Sequence, residues 1–328
     1  MKLSKTLTAI GAIALSSVVA ISSFAQDAWP TRPVSLVVPF AAGGPTDVVA
    51  RALAASMTKS TGKAVIVENK VGAGGTVGAG FVKNAKPDGY TFFIHHNGMA
   101  TAPALYRKLA FNPLTDFEYV SQAVDVPMTI VARKDFPAKD VKELIAYVKA
   151  NKAKINLGNA GLGAVSHLCG MMFQKALDAD LTTVPFGGTG PAMNALVGGQ
   201  IDLMCDQTTN TLEQAKGGQI KMYAVTTAKR IKALPDTPTL AESGLKDFEV
   251  IVWHGIYAPK GTPKDITGKF NTMLRNALKD PDVATILTKL GAEQVSESKL
   301  TPAGLESWLK LEIDKYGPAI RAAAQFAD

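Results

Sequence analysis

Residues Val34 to Met57 read VSLVVPFAAGGPTDVVARALAASM, and the fold follows from how this stretch changes its period. Val34, Leu36, Val37 and Val38 form an apolar run, and after the turn at Ala41 to Pro45 apolar residues return at Val48, Val49, Ala52, Leu53 and Met57 with helical spacing. That is a buried strand feeding a helix. Gly43 and Gly44 permit backbone conformations closed to other residues, and Pro45 suits a first helical turn, where no amide bond is lost. Amides at a helix start, backed by the positive end of the helix dipole, form a site for a carboxylate or phosphate without any charged side chain. A tight strand-to-helix connection that binds nothing has the same pattern, so this stretch alone leaves both readings open.

At the start of the chain, Met1 to Ala25 carries Lys2 and Lys5, an apolar run from Leu7 to Ile21, and then Ser23-Phe24-Ala25. This is the pattern of a secretory signal with a small-x-small cleavage site, cut before Gln26. The run is shorter than the roughly 18 to 20 residues of a membrane span, and no cysteine follows the cut to carry a lipid. Removing 25 of the 328 residues leaves 303, enough for about two domains, and lowers the formal charge from +7 to +5. Spread along the chain without a basic block, this excess argues against nucleic acid and fits a mild attraction for anionic solutes. The expectation is a soluble, exported protein.

Cys169 and Cys205 are the two cysteines, one on an apolar helix and one on an apolar strand. An oxidising compartment permits a bridge, but the expectation is two separately buried thiols, because a bridge requires close and correctly aimed α-carbons. Zinc finds no ligand set: adjacent His95 and His96 on a strand point to opposite faces, and no second pair has metal-site spacing.

Strands alternate with helices along the rest of the chain, which argues for parallel sheets. Expected strands are Ala64 to Glu68, Tyr90 to His95, Glu118 to Ala123, Met128 to Ala132, Ile155 to Gly158, Thr182 to Val184, Ile201 to Cys205 and Tyr223 to Thr226. Expected helices include Thr101 to Lys108, Val141 to Asn151, Ala192 to Val197, Phe270 to Leu278, Val283 to Leu290 and Ala303 to Tyr316. Gly72 to Gly80 reads as a glycine-dense loop, and the proline-punctuated Pro235 to Pro263 as a segment that recrosses between lobes.

At Ile155 the opening pattern returns. A strand runs into Asn159-Ala160-Gly161-Leu162-Gly163-Ala164-Val165-Ser166-His167, and a helix continues through Leu168, Met171, Met172 and Phe173. Two such loops, far apart in sequence, suggest two lobes presenting amides to one ligand. The second loop also matches two glycines of a dinucleotide fingerprint, but Ser166 stands where a small packing residue is wanted, and no acidic residue ends the next strand. Neither loop ends in the Gly-Lys-Ser/Thr of a phosphate-binding loop. A third loop, Phe186-Gly187-Gly188-Thr189-Gly190-Pro191, precedes another helix, and Asp206 ends a strand at a position that commonly faces a crevice.

Trp29-Pro30-Thr31-Arg32-Pro33, the VVPFAAGGPTD run, Val67-Glu68-Asn69-Lys70, Gly72-Ala73-Gly74-Gly75-Thr76 and Pro87-Asp88-Gly89-Tyr90-Thr91 together resemble the substrate-binding proteins of tripartite tricarboxylate transporters, the Bug or TctC-like family. The likeness continues through Ser166-His167-Leu168, Val184-Pro185-Phe186-Gly187-Gly188, Gly198-Gly199-Gln200-Ile201-Asp202, Leu234-Pro235-Asp236-Thr237-Pro238-Thr239 and Ala258-Pro259-Lys260-Gly261-Thr262-Pro263, in family order over essentially the whole mature chain. The resemblance implies an α/β, two-lobe periplasmic-binding-protein clamshell, each lobe a mainly parallel sheet flanked by helices. Lobe 1 would comprise residues 26–125 and 246–328, and lobe 2 residues 126–245. It implies a monomeric periplasmic receptor that holds an organic carboxylate (a di- or tricarboxylate, or an aromatic acid such as terephthalate) largely by loop amides and delivers it to a membrane permease, with no cofactor. Relatives often carry a lysine or other polar residue where this chain has Gly187, and a small polar residue where it has Pro45.

The residues expected at the ligand are Phe40, Ala41, Ala42, Gly43, Gly44, Thr46 and Asp47 of the first loop, and His96 and Asn97 after the third strand. Ala160, Gly161, Gly163, Ala164 and Ser166 of the second loop, Gly188 and Thr189 of the third, and Asp206 complete the set. Asp47 carries the wrong charge for an anion and reads as organising its helix start. Phe40, Phe186 and His96 could shape an apolar slot; two of these rings at the cleft would favour an aromatic or long aliphatic dicarboxylate. The alternative is a periplasmic hydrolase using the glycine loops as an oxyanion hole. It needs a nucleophile and base, and Ser166 beside His167 on a helix point about 100 degrees apart, with no Gly-x-Ser-x-Gly elbow.

Overall fold

A computed structural model describes residues 29–323 and 326; the expected export signal lies outside these residues. In chain order the elements are β1 (Val34–Val38), α1 (Pro45–Thr61), β2 (Val65–Asn69), α2 (Thr76–Lys83), β3 (Thr91–His95), α3 (Gly98–Leu105), β4 (Phe117–Arg133), α4 (Val141–Asn151), β5 (Asn156–Asn159), α5 (Val165–Leu177), β6 (Thr182–Pro185), α6 (Thr189–Val197), β7 (Leu203–Gln207), α7 (Thr208–Lys216), β8 (Ile220–Val225), β9 (Ile251–Pro259), α8 (Lys264–Lys279), α9 (Pro281–Lys289), β10 (Glu293–Gln294) and α10 (Pro302–Ala323).

The strands run in the order β2-β1-β3-β9-β4-β7-β5-β6. β1 is parallel to β2 and β3, and β5 is parallel to β6 and β7, so each lobe keeps a parallel set; β9 runs antiparallel between β3 and β4. Apart from Ser35 the opening strand is apolar, because both faces of its sheet are covered. Leu36, Val38, Phe92 and Ile94 face a core shared with Val49, Leu53, Phe270 and Leu274, while Val37 and Phe93 point the other way onto Met99, Tyr257 and Leu305.

The stretches Glu118 to Ala123 and Met128 to Ala132, expected as two strands, are one. β4 is 17 residues long; Phe117 to Pro127 pair with β9, and from Met128 the strand pairs with β7 and β8 instead. Pro127, which interrupts the apolar pattern, sits where one ladder hands over to the other, a place where a missing donor is tolerated. Here the segments are tied side by side: Thr226 N–H donates to Met128 O at 2.9 Å, and Val250 N–H to Thr226 O at 3.0 Å.

The glycine-dense stretch Gly72 to Gly80 is a loop only in its first part, since α2 begins at Thr76. A Cβ on Gly78 would stand 2.8 Å from Pro39 Cβ, so this helical glycine lets α2 lie close against the end of β1.

Cys169 and Cys205 are bridged, contrary to the expectation of two free thiols, with their α-carbons 6.1 Å apart. Because β5 is parallel to β7, the helix that follows β5 lies back across β7, which puts a residue of α5 over one of the strand. Neither local sequence contains that crossing.

Candidate functional site

The strand-to-helix turn of the opening stretch folds as its residues require. Gly44 is the N-cap of α1, Pro45 is its first residue, and Gly43 has φ +77°. Asp47 organises the turn: it accepts from Gly43 N at 2.8 Å, Arg51 Nε at 2.7 Å and Asn69 Nδ2 at 2.9 Å. Burial alone would raise its pKa, but these bonds, with Arg51 first, outweigh burial and hold it below the usual carboxylate value.

This turn meets the second and third loops across a small, partly enclosed cavity of about 20 Å³. Phe40, Ala41, Gly44, Pro45, Thr46 and His96 line one side, and Ala160, Ala164, Val165, Ser166, Thr189 and Gln207 the other. The volume admits about one water-sized group, so this is a shut conformation. A Cβ on Gly188 would be 3.4 Å from Ala41 Cβ, and one on Gly44 would be 3.9 Å from Thr189 Oγ1. Thr101 Oγ1 donates to Gly163 O at 3.3 Å and Tyr106 OH to Leu162 O at 3.1 Å, joining α3 to the second loop.

Many of the loop amides are already bonded inside their own loops. Gly43 N–H goes to Asp47 and Gly44 N–H to Ala41 O; Ala160 N–H goes to Ser166 Oγ at 2.8 Å, Gly161 N–H to Asn159 Oδ1 at 2.9 Å, Gly163 N–H to His167 Nδ1 at 3.3 Å, and Ala164 N–H to Gly161 O at 3.1 Å. Gly43, Gly44, Gly161 and Gly163 thus supply shape, and their amides are committed within their loops. The first-turn amides, which a helix cannot satisfy internally, lie outside these bonds. α1, α5 and α6 all start at this cavity, through Pro45 and Thr46, Val165 and Ser166, and Thr189; Gln207, the N-cap of α7, also lines it. Each start carries about half a positive charge.

Among the described residues no charged side chain lines the cavity. His96 stacks on Phe40 with ring centroids 4.6 Å apart, and His254 pairs with Thr46 Oγ1 at 3.1 Å. Burial drives His95 and His254 down to about 3 and His96 well below its ordinary value, so all three rings are neutral. His96 Nδ1 accepts from Gly98 N at 3.0 Å, which leaves its proton on Nε2.

Of the expected residues, Phe40, Ala41, Gly44, Thr46, His96, Ala160, Ala164, Ser166 and Thr189 meet at the cavity. Ala42, Gly43, Asp47, Gly161, Gly163 and Gly188 belong to the same loops without lining it. Asn97 holds the sheet together, donating to Ile251 O at 3.0 Å and accepting from Trp253 N at 3.1 Å. Asp206 lies inside β7, not past its end, and its carboxylate turns to Gln207 N and Asn210 Nδ2 at 2.8 and 2.6 Å. Its neighbour Gln207 faces the cavity in its place, since successive strand residues alternate. Pro45, Val165 and Gln207 were not expected there; a signal for Gln207 was its place at a strand end just before a helix. Ser166 Oγ and His167 Nδ1 each accept a different loop amide, so they do not form a catalytic pair.

The family model described as "Tripartite tricarboxylate transporter family receptor" matches residues 49–322. Among solved structures, the periplasmic binding protein BugD is 51% identical, with a TM-score of 0.88, covering 91% of this chain and 99% of its own. MatC from Rhodopseudomonas palustris, with bound malate, is 42% identical with a TM-score of 0.85, covering 89% of this chain and 100% of its own. A further R. palustris protein, with adipate, is 32% identical with a TM-score of 0.86, covering 91% and 99%. The chain therefore belongs to the tripartite tricarboxylate transporter family of receptors and is a solute-binding protein rather than an enzyme.

Proposed function

We propose that this protein is a monomeric periplasmic receptor, exported by the signal at residues 1–25, that closes on an organic carboxylate and delivers it to a tripartite transporter permease. One observation carries the reading: three helix starts from two lobes converge on one small cavity, and among the described residues no charged side chain lines it. An anion there meets partial positive charge and free amides from both sides, so it gains most when the lobes are shut. Amide bonds to a carboxylate contribute about 1.5 to 3 kcal/mol each, enough for a few of them to favour closure. The hand-over of β4 between ladders supports a division into residues 26–125 with 246–328, and 126–245, moving about the ties at Met128, Thr226 and Val250. The malate and adipate of the related structures support a dicarboxylate ligand.

The test is a thermal-shift screen of the mature chain against organic acids. A ligand at 100 times its dissociation constant stabilises by about 2.7 kcal/mol. Stabilisation by a dicarboxylate supports the receptor, and a flat response to every acid removes it.

A further inference from the structure

Beside the cavity under the helix starts lies a second chamber of about 290 Å³, and the two share Phe40 and Ala160 as walls. Pro39, Phe40, Val71, Leu162, Pro185 and Phe186 give it apolar surfaces from both lobes. Among the described residues its one polar lining side chain is Tyr106, whose hydroxyl is turned to Leu162 O at 3.1 Å, and none that lines it is charged. Val71 and Leu162 at its rim are 45% and 37% exposed, so its apolar wall stands in contact with water.

The size difference between the chambers decides what each can take. About 20 Å³ under the helix starts has room for the leading oxygen of a carboxylate, and the body of an acid has to extend out past Phe40 and Ala160. The space it reaches is apolar, flanked by the rings of Phe40 and Phe186, and covering that surface is favourable in proportion to the apolar area removed from water. Gly187 keeps the chamber open: a Cβ there meets nothing within 4 Å, and its backbone lies outside the left-handed region. We propose that this second chamber is a subsite for the body of the ligand, and that the receptor selects carboxylates with an aliphatic chain of about four methylenes or more, or an aromatic ring, over short hydroxy acids. The proposal rests on the receptor reading and names the substrate class for it.

Calorimetric titration of the mature chain with succinate, adipate and suberate, and with terephthalate, tests the assignment. Affinity is expected to rise about tenfold for each two methylenes added, the amount that burying them contributes. In Gly187→Leu, whose side chain would project into the chamber, the suberate to succinate affinity ratio is expected to fall to near one. Succinate binding with no gain on lengthening overturns the subsite while the receptor reading stands, as does a chain-length gain that survives in the folded variant. No binding of any acid overturns both. If the variant fails to fold, the series on the unaltered chain decides alone.

Discussion

Tyr106 donates its hydroxyl hydrogen to the carbonyl oxygen of Leu162 at 3.1 Å, tying helix α3 to the loop between β5 and α5. The two residues fall in the two proposed lobes, so on the receptor reading the bond is made when the lobes shut. A neutral hydrogen bond contributes about 0.5 to 1.5 kcal/mol net. Tyr106→Phe is therefore expected to speed ligand release about two- to tenfold in a stopped-flow displacement measurement. An unchanged release rate would show that closure does not draw on this bond.

Gly74 offers a sharper separation of closure from folding. With φ +60°, a Cβ there would stand 2.4 Å from Leu162 O, an overlap that separation of the lobes relieves, and 2.8 Å from Tyr106 OH, the far end of a side chain of its own lobe that can shift. Gly74→Ala is expected to weaken ligand binding more than about tenfold while costing the folded chain only the roughly 1 to 2 kcal/mol of a left-handed alanine. Titration and melting of one preparation check this, and a large fall in melting temperature with affinity retained would contradict it.

The bridge between Cys169 and Cys205 closes a loop with a sequence separation of 36. Chain-entropy reasoning assigns a loop of that size about 4 kcal/mol. Reduction, or the Cys169→Ala and Cys205→Ala pair, is expected to lower the denaturant midpoint accordingly. Equal midpoints with and without reductant would show that the bridge adds nothing to stability.

Burial pushes the Asp206 carboxyl up from 3.8 to about 7, against the lowering effect of its bonds from Asn210 and Gln207 N. Between these values the folded state holds a proton that the unfolded state has released, so this group's contribution to stability falls as pH rises from about 4 to about 7 and is level above. Asp206→Asn cannot ionise, and its melting temperature relative to the unaltered chain is expected to climb across that window. A constant difference from pH 4 to pH 8 would mean that Asp206 titrates normally.

The apolar periods were legible wherever local chemistry set them. Helix α4 spans Val141–Asn151 as its pattern predicts, capped by Asp140, which accepts from Lys142 N and Glu143 N. The opening turn was equally plain, down to Pro45 in the first helical turn and Asp47 bracing the loop. The site was legible as a set of loops but not as a set of donors. Glycine-rich turns announce a helix start, yet which amides stay free depends on where Asp47, Ser166, Asn159 and His167 turn their side chains. Gln207 was hidden because alternation along β7 put it, and not Asp206, toward the cavity.

By itself the sequence determined that strands and helices alternate, that glycine turns open the helices, and that the chain resembles a transporter receptor, since each of these rests on local pattern or on motifs in order. Only the tertiary structure decided that β4 is one strand serving two ladders, that Cys169 lies over Cys205, and that three helix starts share one cavity with an apolar chamber beside it. These are relations between segments far apart along the chain. No local propensity encodes them, because they arise from how the sheets twist, cross and close on each other.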